Sequence, residues 1–159
     1  LSLRRQRQMC IRDRFIVYGP GVKEKDWVTD AVITSTDFYP TILEMTGLPA
    51  KPKQHLDGKS FASVLKGEGN FDRGPIFWHY PHYPNQGGRP SGAIRSGNYK
   101  LIEFYDNGEV ELYDLSKDIG EQHDLAKEQP ELANILKQEF DQWCKDIEAS
   151  MPTKNPAFN

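Results

Sequence analysis

The chain has 159 residues, of which 37% are hydrophobic and 11% aromatic, enough apolar material for the modest core of one small α+β domain. Its formal net charge is −3, but the first fourteen residues hold five arginines against one aspartate, so residues 15 to 159 carry −7. An acidic body excludes nucleic acid as the main ligand, and no run approaches the roughly 18 consecutive apolar residues of a membrane-spanning helix.

The opening stretch, residues 1–14, has no apolar period and no cap or turn chemistry. It lacks the apolar h-region of about 7 to 15 residues that a signal peptide needs. Its composition differs from that of the remaining chain, so it reads as a foreign or artefactual leader, with a basic arm as the alternative. The cysteines, Cys10 and Cys144, share no ligand-like spacing, and they imply no disulfide or metal framework.

Phe15-Ile16-Val17-Tyr18, closed by Gly19-Pro20-Gly21, predicts a short buried strand and a breaker. An all-apolar strand suits the edge of a parallel sheet whose other strands are missing from this chain, since such sheets are covered on both faces; a lone strand in a small sheet of its own is the alternative. Ser35-Thr36-Asp37 ahead of Phe38, Ile42, Leu43 and Met45, with Gly47 as a stop, predicts an amphipathic helix starting near Thr36 or Asp37. Pro40 then falls in the first turn, where its missing N–H costs nothing. Asp57-Gly58-Lys59-Ser60 reads as a turn and a cap for a short helix over Phe61 to Leu65, ended by Gly67. Neither Asp57 nor Ser60 has a nearby base that would make it a nucleophile.

Ile76-Phe77-Trp78-His79-Tyr80 predicts an aromatic strand running into the loop from Pro81 to Pro90, which is dense in His, aromatic, Arg and Gly residues. Loops of that composition often carry binding groups. Trp78, Tyr80 and Tyr83 offer flat faces to a sugar or aromatic ring, and His79, His82 and Arg89 can donate charge-assisted hydrogen bonds to an anion. His79, His82 and Arg89 are therefore the candidate substrate-binding residues. Purely structural histidines, or a metal site at His79 and His82, are the competing readings; three-residue spacing in an extended Pro-containing segment does not converge two imidazoles on one ion.

From Ser91 to Leu115 the chain predicts a β-meander, with strands over Ala93 to Arg95, Tyr99 to Tyr105 and Glu109 to Leu115. Its turns are Ser96-Gly97-Asn98 and Asp106-Asn107-Gly108, in which Asn and Gly tolerate the positive φ of tight loops. Both faces of the middle strand carry apolar residues, which places it inside the sheet. Leu132, Ile135, Leu136, Phe140, Trp143 and Ile147 then recur at helical spacing after Pro130 and Glu131. Burial of Phe140 and Trp143 is worth about 2 kcal/mol each, so this long helix should cover one face of the meander. Residues 152–159 read as an unpatterned tail.

Phe15-Ile-Val-Tyr-Gly-Pro-Gly21, Thr36-Asp-Phe-Tyr-Pro-Thr-Ile-Leu43, His55-Leu-Asp-Gly-Lys-Ser60 and Tyr99-Lys-Leu-Ile102 followed by Glu111-Leu-Tyr-Asp-Leu115, in that order, resemble the C-terminal portion of the sulfatase family. The resemblance implies an α/β, alkaline-phosphatase-like enzyme. Residues 15–70 would be the end of its catalytic domain, including one strand and helix of the large sheet. Residues 71–151 would form a C-terminal subdomain, a small antiparallel meander packed on a long helix. It implies hydrolysis of sulfate esters, on a sulfated glycan by preference, in the periplasm or outside the cell, with no nucleic acid or membrane partner. Calcium and a formylglycine made from the cysteine of Cys-x-Pro/Ser-x-Arg are likewise implied, but Cys10 has Arg12 where that motif needs Pro or Ser, and it is not assigned that role. No catalytic or metal-binding residue is assigned in this chain, which should lack turnover alone. A stand-alone carbohydrate-binding or interaction module is one alternative, and a phosphoesterase or phosphonate hydrolase on the same scaffold is another. A module should bury Phe15 to Tyr18 and the 38–45 helix, whereas a piece of a larger enzyme would leave them exposed.

Overall fold

The computed structural model describes residues 15–23, 27–69, 71–83 and 87–153, which fall into two compact units divided between Arg73 and Gly74. Each is built by local sequence chemistry. The expectations for residues 1–14, Cys10 among them, and for the end of the tail lie outside the described residues.

In the first unit Thr34 opens a single 3-10 turn, Ser35–Asp37, through a reciprocal capping box: its side chain accepts from the turn, and its N–H donates to the Asp37 carboxylate at 2.8 Å. Helix α1, Phe38–Met45, continues from it. Gly47 ends the helix at φ 72°, with Leu48 N–H donating to Leu43 O at 2.8 Å. Helix α2, Ala62–Lys66, is a short turn closed by Gly67 at φ 70°; its N-cap is Phe61 and not Ser60, whose hydroxyl accepts from Ala62 N–H at 3.3 Å in the turn leading into the helix. Phe61, Ala62, Val64 and Leu43 form the buried centre. Thr41 bridges the helices, donating to Asp37 O at 2.6 Å and accepting from Phe61 N–H at 3.0 Å.

Phe15–Tyr18 is not a strand. Its residues join no ladder: Phe15 stacks on Phe38 at 4.7 Å between ring centroids, while Ile16 is 85% and Tyr18 96% exposed. A strand needs a neighbour to pair its backbone N–H and C=O groups, and none of the described residues offers one.

The second unit is a four-stranded antiparallel meander in the order β1 (Ile76–Tyr80), β2 (Ser91–Ser96), β3 (Tyr99–Phe104), β4 (Val110–Asp114), followed by helix α3 (Pro130–Asp146). Gly97 at φ 56° turns β2 into β3, and Gly108 at φ 71° closes the loop before β4. The sheet centre is as expected: Ile94 on β2 and Leu101 on β3 are completely buried. Helix α3 covers one face, packing Ala133, Leu136 and Phe140 onto Ile94, Leu101 and Leu112, with Trp143 stacked on Phe77 at 4.8 Å. Two members of the expected stripe leave it. Ile135 is 60% exposed because it lies about a quarter-turn from Leu136, and Ile147 lies one residue past the helix end and is half-exposed. At Gly92 the sheet is in close contact with α3: a Cβ there would overlap Phe140 and the Tyr105 hydroxyl.

Candidate functional site

The residues singled out in the sequence flank the β1–β2 connection, and the structure gives each a different environment. His79 lies on β1 with both ring nitrogens engaged, Nδ1 at 2.7 Å from the Tyr105 hydroxyl and Nε2 at 3.0 Å from the Ser150 carbonyl. A carbonyl can only accept, so Nε2 carries a proton, and in the neutral ring Nδ1 accepts from Tyr105. Burial pushes the Tyr105 phenol far above its ordinary value, which keeps it a donor. His79 thus ties β1 to the end of β3 and to the segment after α3, and it has no donor left for a ligand.

His82 is exposed and meets Tyr80 edge-to-face at 5.6 Å. Trp78, Tyr80 and Tyr83 are 47%, 50% and 69% exposed, so their faces are open. Pro84, Asn85 and Gln86 lie outside the described residues.

Arg89 closes the connection. It holds Asp106 through Nε (2.9 Å) and NH2 (2.7 Å), donates from NH1 to Glu109 at 3.1 Å, and lies over the Phe104 ring at 4.2 Å. The Arg89 guanidinium holds the Asp106 carboxyl below the usual carboxylate range. Glu109 is held low by the Asn107 amide and then by Arg89. One cation against two carboxylates leaves a local charge of −1. Three of the five guanidinium N–H donors are used and two remain. This arrangement suits a neutral hydroxyl better than a sulfate.

Three features here were not singled out from the sequence. Tyr105 fixes the tautomer of His79, and Asp106 and Glu109 clamp Arg89. The third is a buried carboxylate in the first unit. Asp37, completely buried, accepts from Thr34 N–H (2.8 Å), Lys59 N–H (2.9 Å) and Arg73 Nε (2.8 Å), while Arg73 also donates to the Asp57 carbonyl at 2.8 Å. Thr34-x-x-Asp37 is a capping-box pattern that marks this carboxylate in the sequence, whereas nothing local marks Arg73, 36 residues on. The Asp57-Gly58-Lys59-Ser60 segment is thus a turn pinned by Asp37.

Among the described residues no three His, Cys, Asp or Glu side chains gather where they would hold a metal ion. Cys144, half-buried on α3, has its thiol pushed up by burial and lacks the Pro/Ser and Arg of a formylglycine site. The described residues therefore fit neither calcium nor formylglycine. None of the described helices is long and apolar enough to cross a membrane.

The chain matches the family described as N-sulphoglucosamine sulphohydrolase, C-terminal, over residues 4–147. It is 38% identical over 130 residues to a sulfatase of Formosa agariphila, a match covering 76% of this chain and 24% of the relative. It is 34% identical over 128 residues to a Delta 4,5-hexuronate-2-O-sulfatase of Bacteroides thetaiotaomicron, covering 77% and 25%. A solved sulfatase structure from Bacteroides thetaiotaomicron superposes with a TM-score of 0.70 at 23% identity, covering 87% of this chain and 32% of that one. The four-stranded sheet with its covering helix is thus the C-terminal part of the alkaline-phosphatase-like sulfatase fold, and the chain belongs to the sulfatase family. It spans about a quarter of the length of the curated relatives it matches.

Proposed function

We propose that this chain is the C-terminal region of a sulfuric ester hydrolase that removes sulfate from a glycan, working in the periplasm or outside the cell. The reactive group and metal ligands come from polypeptide upstream of Phe15. The observation that carries this reading is the exposed apolar surface of the first unit: Ile16, Tyr18, Val28, Ile42, Leu48 and Leu56 range from 56% to 96% exposed. A self-sufficient module buries such residues, and large exposed apolar patches mark contact sites. Family membership favours sulfate over phosphate esters, and the name of the hexuronate-2-O-sulfatase supports a sulfated sugar as substrate.

In this reading residues 15–70 complete the catalytic domain, and the second unit supplies scaffold and the rim of the substrate pocket. His82 presents an exposed imidazole to the substrate, Arg89 adds its two remaining N–H donors, and His79 holds β1 in place beneath them. The catalysing residues lie outside this chain, so the chain alone releases no sulfate.

The test uses the protein with its upstream region and a sulfated hexuronate–hexosamine disaccharide, following sulfate release. His82→Ala raises KM with little change in kcat, because it removes a contact shared by ground and transition states. Unchanged KM and kcat after simultaneous alanine replacement of His79, His82 and Arg89 would show that these residues form no part of the pocket rim.

A further inference from the structure

The sheet has two faces, and α3 covers only the one bearing Phe77, Ile94, Leu101 and Leu112. Strand alternation puts Trp78 and Tyr80 on the other face. The register fixes their neighbours there: Trp78 opposes Ala93, which opposes Ile102, and Tyr80 opposes Ser91, which opposes Phe104. Two large rings on β1 therefore look across a floor of one methyl and one hydroxymethyl toward two large apolar side chains on β3. The small floor leaves the rings uncovered, which is why Trp78 and Tyr80 remain 47% and 50% exposed. Two strand spacings separate the walls by roughly 10 Å. Arg89, stacked over Phe104, brings its two unused N–H donors to the far wall.

We propose that this face is a saccharide-binding subsite. Trp78 and Tyr80 stack on the apolar face of a pyranose ring, Ser91 hydrogen-bonds from the floor, and Arg89 donates to ring hydroxyls from the opposite wall. The sugar bound here carries no sulfate at the Arg89 end, because Asp106 and Glu109 leave that wall negative. The subsite selects a sugar unit of the glycan other than the one being desulfated. The inference rests on the reading of this chain as part of a glycan-directed sulfatase, and it adds the unit that the platform takes.

A stripe of aromatic residues on a sheet can also be a protein contact. The small-residue floor between the exposed Trp78 and Tyr80 side chains and β3, together with the unused donors of Arg89, favours a sugar, whose rings have one apolar face and an equatorial belt of hydroxyls.

The test titrates this chain with an uncharged, unsulfated hexose–hexosamine tetrasaccharide and follows the indole N–H resonances of its three tryptophans. The Trp78 resonance shifts on binding while those of Trp27 and Trp143 stay in place. Tyr80→Ala weakens the sugar about tenfold by the same resonance, and Trp78→Phe, which keeps a flat face and is titrated by calorimetry, by no more than about threefold. A tetrasaccharide sulfated on every hexosamine binds more weakly than the unsulfated one. No Trp78 shift up to about 10 mM sugar, or an equal affinity for the Tyr80→Ala chain, overturns the proposal. So does an indole of Trp78 shielded from iodide quenching in the longer protein before any sugar is added, which would assign the face to upstream polypeptide. Sulfate release separates this from the proposed function: a longer protein that releases no sulfate while this chain still binds the sugar refutes that function and leaves the platform standing.

Discussion

Gly92→Ala adds one methyl group at a tight contact between α3 and the sheet. The new Cβ would sit 2.7 Å from Cε1 of Phe140 and closer still to its Cζ and to the Tyr105 hydroxyl. Carbon pairs are comfortable at about 3.5–4.0 Å, so the nearest ring atoms must retreat by an ångström or more. Phe140 is 1% exposed and packed among Ile94, Leu101, Leu112, Ala133 and Leu136, so it has no empty space to enter. Overpacking of this kind costs about 1–3 kcal/mol. Displacing the Tyr105 hydroxyl from His79 adds about 1 kcal/mol for the lost hydrogen bond. The expected loss is therefore about 2–4 kcal/mol, read by urea unfolding with tryptophan fluorescence, since Trp143 stacks on Phe77 in the same core. Phe140→Leu should relieve the clash, so the double variant should be less destabilised than the two single losses summed. A Gly92→Ala chain within about 0.5 kcal/mol of the parent would show that α3 does not pack this closely on β2.

The clamps yield further expectations. Asp37→Asn removes the charge facing Arg73 in a buried setting and should cost about 3–5 kcal/mol; limited proteolysis should then cut first within residues 15–73, and cleavage first within the second unit would contradict the assignment. Tyr105→Phe removes the hydroxyl that donates to His79 and should lower stability by about 1 kcal/mol, with faster amide exchange near Ser150. An unchanged exchange rate there would break the proposed tether. Asp106 and Glu109 are held below their ordinary values in the folded protein. The clamp's contribution is thus complete above the ordinary carboxylate range and is lost as pH falls through the depressed folded values. Carboxyl carbon resonances should show Asp106 and Glu109 titrating late on acidification, and Arg89→Ala should return Asp106 to its normal range.

What the sequence made legible was chemistry acting over a few residues. Gly97 and Gly108 announced the turns of the meander, Gly47 and Gly67 the helix stops, and Pro130 a helix start. The hydrophobic period placed Leu136 and Phe140 on the buried side of α3, although it also counted Ile135, whose phase is off the stripe, and Ile147, which lies beyond the helix end. The apolar run at Phe15 to Tyr18 forms no ladder among the described residues, because strand formation depends on a partner, which composition cannot supply. Long-range pairing was invisible: Asp37 finds Arg73, and Arg89 finds Asp106 and Glu109, only once the folded chain brings them together. The candidate loop was legible as a concentration of functional residue types. The division of labour within it was not, because whether an imidazole or a guanidinium is free depends on neighbours 17 to 71 residues away.

The most direct measurement of the central claim is sulfate release from a sulfated hexuronate–hexosamine disaccharide, compared between this 159-residue chain and the protein extended by its upstream sequence. Turnover is expected from the extended protein and none from the chain alone. Release by the chain alone, or none by an extended protein that carries an in-frame Cys-x-Pro/Ser-x-Arg segment converted to formylglycine, would contradict the assignment of the chemistry to upstream polypeptide.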